Sequence, residues 1–136
     1  MKRVLICLLL TVTLFGYSCK EEDKGPQIEV ITAEEMQQII DDNGVQMVDV
    51  RTPEEYQEGY IDGFQNIDYF SDSFEDDLEK LDKTKPVIVY CRSGNRSSKC
   101  AAKMKEKGFV KIYDLEGGIT KWKFKGYNVT TKTLLN

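Results

Sequence analysis

Apolar and polar positions along this chain recur with two periods, and the changes of period lay out its elements. Residues 27–31 alternate enough for a first strand, and Met36, Ile39 and Ile40 then recur at helical spacing as one apolar stripe. Ahead of that stripe, Thr32-Ala33-Glu34-Glu35 carries the residues of a capping box, in which the Thr and Glu side chains satisfy each other's backbone amides. Gly44 is the expected helix stop. Residues 45–50 predict the next strand, with Met47, Val48 and Val50 apolar. Thr52-Pro53-Glu54-Glu55 repeats the capping pattern with proline at the first helical position, where its missing N–H costs nothing, and Gly59 closes that short helix. Asp62-Gly63 turns the chain into a short strand at 65–67. Phe74, Leu78 and Leu81 then mark an amphipathic helix whose outer face carries Glu75, Asp76, Asp77 and Glu79, an acidic run that reads as a solvated face.

After Pro86 come four apolar residues in a row, Val87-Ile88-Val89-Tyr90, the pattern of a strand buried on both faces. Cys91 stands where that strand ends. Arg92-Ser93-Gly94-Asn95-Arg96 follow, and residues 97–104 make a good helical run with Cys100, Ala101 and Met104 on one side and Gly108 as its stop. Residues 111–115 predict another strand. Gly117-Gly118 lead into a last helix with Ile119 and Trp122 inward and Lys121, Lys123 and Lys125 outward. Strands alternating with helices predict an α/β domain with a mostly parallel central sheet flanked by helices on both faces. Ligands in such sheets sit beyond the carboxyl ends of the strands, where Cys91 lies.

A strand, a tight loop and a helix N-terminus form a cradle for anions, because loop amides point inward and the helix dipole adds partial positive charge. Gly94 permits a turn that a β-carbon would obstruct, and Arg92 and Arg96 place permanent charge at either end of the loop. A thiol there ionises more easily, since thiolate pKa falls at helix N-termini and beside arginine. Arg51 ends the second strand and pairs with a carboxylate of its own neighbourhood, so that it and Asp49 read as scaffold. Cys100 has two readings: a small buried residue, favoured by its place beside Ala101 and Met104, or a resolving thiol for Cys91.

The length of 136 residues leaves room for one domain. Histidine is absent, which excludes Ser-His-Asp and Cys-His catalysis and argues against a zinc site. Lys2 and Arg3, then an apolar run over residues 4–15, predict a removable signal over residues 1–18, too short to span a bilayer comfortably. Gly16-Tyr17-Ser18-Cys19 resembles a lipoprotein processing site, with Cys19 becoming the lipidated first residue and Lys20-Glu21-Glu22-Asp23 resembling an acidic surface-export signal. Ordinary secretion with an incidental cysteine is the alternative. The expected layout is signal 1–18, tether 19–26, domain 27–130 and tail 131–136, exported and lipid-anchored in a bacterial cell envelope, on its periplasmic face or outside. Removing Lys2 and Arg3 from the 19 basic residues leaves 17 against 23 acidic ones, a net charge of about −6, which argues against nucleic acid as a partner. Of the four cysteines, Cys7 leaves with the signal and Cys19 is acylated, so no disulfide framework is expected.

Several motifs in order resemble a rhodanese (sulfurtransferase) domain: Asp49-Val50-Arg51-Thr52-Pro53-Glu54-Glu55-Tyr56, Gly59-Tyr60-Ile61-Asp62-Gly63, residues 91–96, Gly108-Phe109, Tyr113-Asp114-Leu115-Glu116-Gly117-Gly118-Ile119 and Trp122. Tyr60 stands where that family usually has histidine, at a position whose role there is structural. The resemblance implies a rhodanese-like fold and a sulfurtransferase in which Cys91 carries sulfane sulfur as a persulfide. Arg92, Ser93, Gly94, Asn95 and Arg96 hold the anionic sulfur, with no metal or organic cofactor. The donor is a small molecule such as thiosulfate and the acceptor is cyanide or a thiol. Two alternatives stay open. One is a non-catalytic rhodanese-like binding module on the cell envelope. The other is a phosphatase or arsenate reductase of the related fold, whose loops carry one more residue between cysteine and arginine than the four between Cys91 and Arg96.

Overall fold

The computed structural model describes residues 25–42 and 44–131. The signal segment, Cys19, residues 20–24 of the tether and residues 132–136 of the tail lie outside the described residues. Along the described chain the elements run β1 (Gln27–Ile31), α1 (Ala33–Ile40), β2 (Gln46–Asp49), α2 (Pro53–Glu58), β3 (Gln65–Asn66), α3 (Phe74–Glu79), β4 (Val87–Tyr90), α4 (Asn95–Glu106), β5 (Lys111–Leu115) and α5 (Gly118–Phe124). The strands form one sheet in the order β1-β5-β4-β2-β3, and every pairing in it is parallel. The fold is α/β, with helices on both faces of the sheet.

The alternation of β4 explains its place at the centre. Val87 and Val89 face one way, into a cluster with Phe74 and Leu78 of α3 and Cys100, Ala101 and Met104 of α4. Ile88 and Tyr90 face the other way, against Met36 of α1 and Ile119 and Trp122 of α5. All four β4 side chains are fully buried, and burying an aliphatic or aromatic side chain of this size is worth about 1.5–3 kcal/mol. Cys91 continues the alternation, so its side chain turns toward the α3–α4 face.

Both capping boxes form. Thr32 Oγ1 accepts from the Glu35 amide and the Glu35 carboxylate accepts from the Thr32 amide, and Thr52 and Glu55 do the same at α2 behind Pro53. Some boundaries differ from those the pattern predicts. Helix α1 ends at Ile40, capped by Asp41, and Gly44, with φ of +118°, serves the turn into β2 instead of the helix end. Helix α4 begins at Asn95, because Gly94 at φ of +106° is already its N-cap, so Asn95 and Arg96 belong to its first turn. The acidic side of α3 is exposed but not merely solvated: Glu75 pairs with Lys103 and Lys107 of α4, and Glu79 with Lys107.

Strands β2 and β4 are neighbours, yet the chain leaves them in opposite directions, toward β3 and toward β5. A crevice therefore opens beyond their carboxyl ends. Asp49, Arg51 and α2 reach it from β2, and the loop carrying Cys91 reaches it from β4. No helix among the described residues is long and apolar enough to cross a membrane.

Candidate active site

The residue after β4 is Cys91, 1% exposed at the floor of the crevice. The chain then turns tightly, and the Gly94 amide donates to the Cys91 Sγ at 3.1 Å. Helix α4 starts immediately afterwards, so the unpaired amides of its first turn point back toward the sulfur. Burial pushes the Cys91 thiol up. The hydroxyl and amide of Ser97 and the amides of Gly94 and Ser93 pull it down by favouring the thiolate, and they win: its pKa lies below the ordinary cysteine value. The sulfur sits in a nest of donors.

The back of the loop is held by the helix that follows β5. The Cys91 carbonyl accepts from the Ile119 amide at 3.0 Å and the Arg92 carbonyl from the Thr120 amide at 3.1 Å. Both amides belong to the first turn of α5, which meets the loop edge-on. Gly118 makes that approach possible: at φ of +57°, a Cβ there would stand 2.4 Å from the Cys91 carbonyl oxygen and 2.5 Å from that of Arg92.

The two loop arginines share one carboxylate of α2. Arg96 donates through both terminal nitrogens to the Glu55 carboxylate, at 2.6 and 2.8 Å, with its guanidinium over the Phe70 ring at 5.5 Å. Arg92, largely exposed, brings its Nε to the same carboxylate at 3.1 Å. Both loop charges are thus shared with Glu55 on the rim facing α2, and the Arg96 charge also interacts with the Cys91 thiol. The Arg96 pair holds the Glu55 carboxyl down to about 2, against the opposing effect of its partial burial. The donors nearest the sulfur are backbone amides and Ser97. Ser93 and Asn95 are exposed on the loop's outer side, where the Asn95 carbonyl accepts from the Ser98 hydroxyl.

Beneath the rim, Arg51 and Asp49 form a buried ion pair, with Arg51 Nη2 2.6 Å from Asp49 Oδ2. The guanidinium also donates to the carbonyls of Glu55 at 3.1 Å and Gly59 at 2.8 Å, so it ties β2 to both ends of α2. Tyr60 stacks on Tyr56 with ring centroids 4.3 Å apart and pairs its backbone with Thr130. Cys100 is fully buried on α4, and burial pushes its thiol up to about 12. Among the described residues no cluster of three or more His, Cys, Asp or Glu side chains is arranged to hold a metal ion.

Residues 32–125 match the family model of the Rhodanese-like domain, which covers more than half of the chain. The chain belongs to the rhodanese family. It is 38% identical over 82 residues to the thiosulfate sulfurtransferase GlpE of Pseudomonas paraeruginosa, an alignment covering 60% of this chain and 73% of that protein. A crystal structure of a rhodanese-related protein from Thermoplasma volcanium superposes with a TM-score of 0.65 at 30% identity, over 76% of this chain and 99% of the other. The rhodanese family also supplies parts of larger proteins: the tRNA uridine(34) hydroxylase of Sodalis glossinidius is 36% identical over 98 residues, 68% of this chain but 27% of that one.

Within this rhodanese site, three residues carry more than the sequence reading assigned them. Glu55 reads as a helix cap and also clamps both loop arginines. Gly118 reads as a turn and also seats α5 on the loop. Ser97 reads as one more helical residue, yet it stands on the buried stripe of α4 with Cys100, Ala101 and Met104. A hydroxyl on an otherwise apolar stripe was the available signal.

Proposed function

We propose that this chain is a sulfurtransferase that moves sulfane sulfur from a small donor such as thiosulfate to cyanide or a thiol through a persulfide on Cys91. The observation that carries the reading is the Cys91 sulfur held 3.1 Å from the Gly94 amide at the start of α4, with its thiolate favoured by surrounding donors. The Cys91 thiolate attacks the outer sulfur of thiosulfate. A sulfur–sulfur bond forms to Cys91, the bond within thiosulfate breaks, and sulfite leaves with the electron pair. The resulting persulfide ends in an anionic sulfur, and the amides of residues 92–96 and the Ser97 hydroxyl are the groups that hold it. An acceptor nucleophile then takes that outer sulfur and regenerates the thiolate, a two-stage covalent cycle with ping-pong kinetics. The sulfurtransferase relatives support this assignment.

Mass spectrometry of the protein after thiosulfate treatment tests it: one added sulfur on Cys91, removed by cyanide, is the expected result. Cys91→Ser should abolish both the adduct and turnover, and Cys100→Ala should retain most activity. Persulfide formation without turnover on any acceptor would favour the binding-module alternative. Efficient hydrolysis of aryl phosphates that is lost in Cys91→Ser would favour the phosphatase.

We also propose that Cys19 carries lipid and anchors the exported protein to the cell envelope, on the strength of the processing-site pattern and the apolar run before it. Partition of the native protein into detergent, lost in Cys19→Ala, is the expected outcome. Recovery wholly in the soluble fraction would overturn it.

A further inference from the structure

The turn between β3 and α3 carries an aromatic ring that neither the core nor the sulfur-transfer steps use. Phe70 is 67% exposed. A single exposed aromatic is ordinary on a protein surface, so its place decides what it can do. The Arg96 guanidinium lies over the Phe70 ring, 5.5 Å from the centroid, and Arg96 is the arginine gripped by Glu55 at the mouth of the crevice. The backbone reaches the same edge. The Tyr69 amide donates to the Val50 carbonyl at 3.2 Å, and the Val50 amide to the Tyr90 carbonyl at 3.0 Å. Tyr69 therefore stands two strand spacings, about 10 Å, from the strand end that carries Cys91. Phe70 follows Tyr69 as Cys91 follows Tyr90, so both lie just past the carboxyl edge of the sheet.

The ring is also braced. The Phe70 amide donates to Asp68 Oδ1 at 2.9 Å, and the Ser71 amide closes a turn on the Asp68 carbonyl at 3.0 Å. The Tyr69 ring packs edge-on against Phe70 and against the buried Phe74, with centroids 5.6 and 5.0 Å apart. A side chain fixed in this way loses little freedom on meeting a ligand. Cys91 is 1% exposed on the crevice floor, so an acceptor enters through the mouth and meets the outer sulfur of the persulfide there.

We propose that Phe70 is a specificity-determining residue for the acceptor: its open ring surface stacks on the flat apolar body of an aryl thiol whose sulfur reaches the persulfide. The acceptor thiolate attacks the outer sulfur and forms a sulfur–sulfur bond to it. The bond from that sulfur to Cys91 breaks, Cys91 leaves with the electron pair as thiolate, and an aryl persulfide departs. Cyanide has no apolar face and gains nothing from the ring. A ring that only covered the Arg96–Glu55 pair would affect every acceptor alike.

This role rests on Cys91 carrying the persulfide of the proposed function. The protein is loaded with thiosulfate, freed of donor, and checked by mass for one added sulfur. Thiophenol, mercaptoethanol or cyanide is then added below saturation, and the second-order rate of sulfur loss is measured for wild type, Phe70→Ala and Phe70→Tyr. The acceptors differ in intrinsic reactivity, so the readout is variant over wild type for each one. Phe70→Ala should slow thiophenol by about twofold to tenfold, the span of an aromatic pair contact, and leave mercaptoethanol and cyanide within about twofold of wild type on the same scale. Phe70→Tyr keeps the ring and should keep the thiophenol rate. Equal slowing of all three acceptors would make the ring structural, and a thiophenol rate unchanged in Phe70→Ala would remove it from acceptor choice; either result overturns the role and leaves sulfur transfer standing. No added sulfur on wild-type Cys91 would remove the sulfur-transfer reading itself, and this role with it.

Discussion

Glu55 of α2 grips Arg96 of α4 through two hydrogen bonds of 2.6 and 2.8 Å, joining residues 41 positions apart across the mouth of the crevice. The same carboxylate caps its own helix through the Thr52 amide and receives the Arg92 Nε. One side chain therefore fixes the start of α2, the rim arginines and the outer wall of the sulfur's loop relative to one another.

Glu55→Gln keeps an oxygen for the cap and removes the charge that holds the arginines. Hydrogen bonds to charged groups are worth about 1.5–3 kcal/mol, so a stability loss of that order is expected. Turnover of thiosulfate with cyanide should fall as the loop loosens. The pH dependence has a definite sign. A carboxyl held down to about 2 in the folded state and near 4.5 in the unfolded chain contributes stability above pH 4.5 and loses it as pH falls toward 2. Urea unfolding at neutral and acid pH should show the gap between wild type and Glu55→Gln closing across that window.

Gly118→Ala is expected to cost far more than its single methyl suggests. The added carbon meets two backbone carbonyls of the active loop at 2.4 and 2.5 Å, and backbone cannot step aside as a flexible side chain can. Helix α5 would be pushed off the loop, and the hydrogen bonds of Ile119 and Thr120 to it would be lost. Gly108→Ala is the control: it has φ of +89° but open space around it, so only the left-handed strain of about 1–2 kcal/mol applies. Comparing melting temperature and turnover per folded molecule should show both properties collapsing in Gly118→Ala and turnover preserved in Gly108→Ala.

Much of this was legible in the chain because local rules and the global fold agree. The two capping boxes, the unbroken apolar run of β4 and the apolar stripe of α4 each have a short-range cause, and each forms as predicted. What the pattern could not reveal are relationships across long separations. Nothing local in Thr52-Pro53-Glu54-Glu55 says that Glu55 will face Arg96, and nothing in Gly117-Gly118 says which carbonyls lie above it. That both loop arginines meet Glu55 was hidden as well, because spacing along the chain cannot show which way a long side chain leaves a tight loop. Asp114 was hidden for a related reason: a single acid in a five-residue strand looks like an outward position until the sheet order places β5 between β1 and β4.

The Asp49–Arg51 pair makes a sharper stability prediction. Arg51→Met would leave the Asp49 carboxylate buried without its partner and release the carbonyls of Glu55 and Gly59. Removing one member of a buried pair costs about 3–5 kcal/mol, whereas replacing both by apolar residues of similar size is often tolerated. Asp49→Leu combined with Arg51→Met should therefore recover part of the stability lost in Arg51→Met alone. Denaturant midpoints of the three forms measure this; a double variant no more stable than the single one would mean that the carbonyl contacts, not the unpaired charge, dominate.

Asp114 gives a pH dependence opposite in sign to that of Glu55. Its carboxyl is raised by burial in the folded protein. At pH well below the ordinary carboxylate range, both folded and unfolded chains hold the proton, and the residue costs nothing through ionisation. As pH rises, the unfolded chain releases its proton first, and stability declines until the folded carboxyl ionises as well. Wild type should thus carry a penalty at neutral pH that is absent in acid. Asp114→Asn, of nearly the same shape and always neutral, removes that penalty. Urea unfolding should find the variant more stable than wild type at pH 7, with the difference shrinking as the pH is lowered into the acid range. A constant difference at every pH would assign it to packing, and a variant less stable at neutral pH would mean that the folded protein favours the ionised carboxylate.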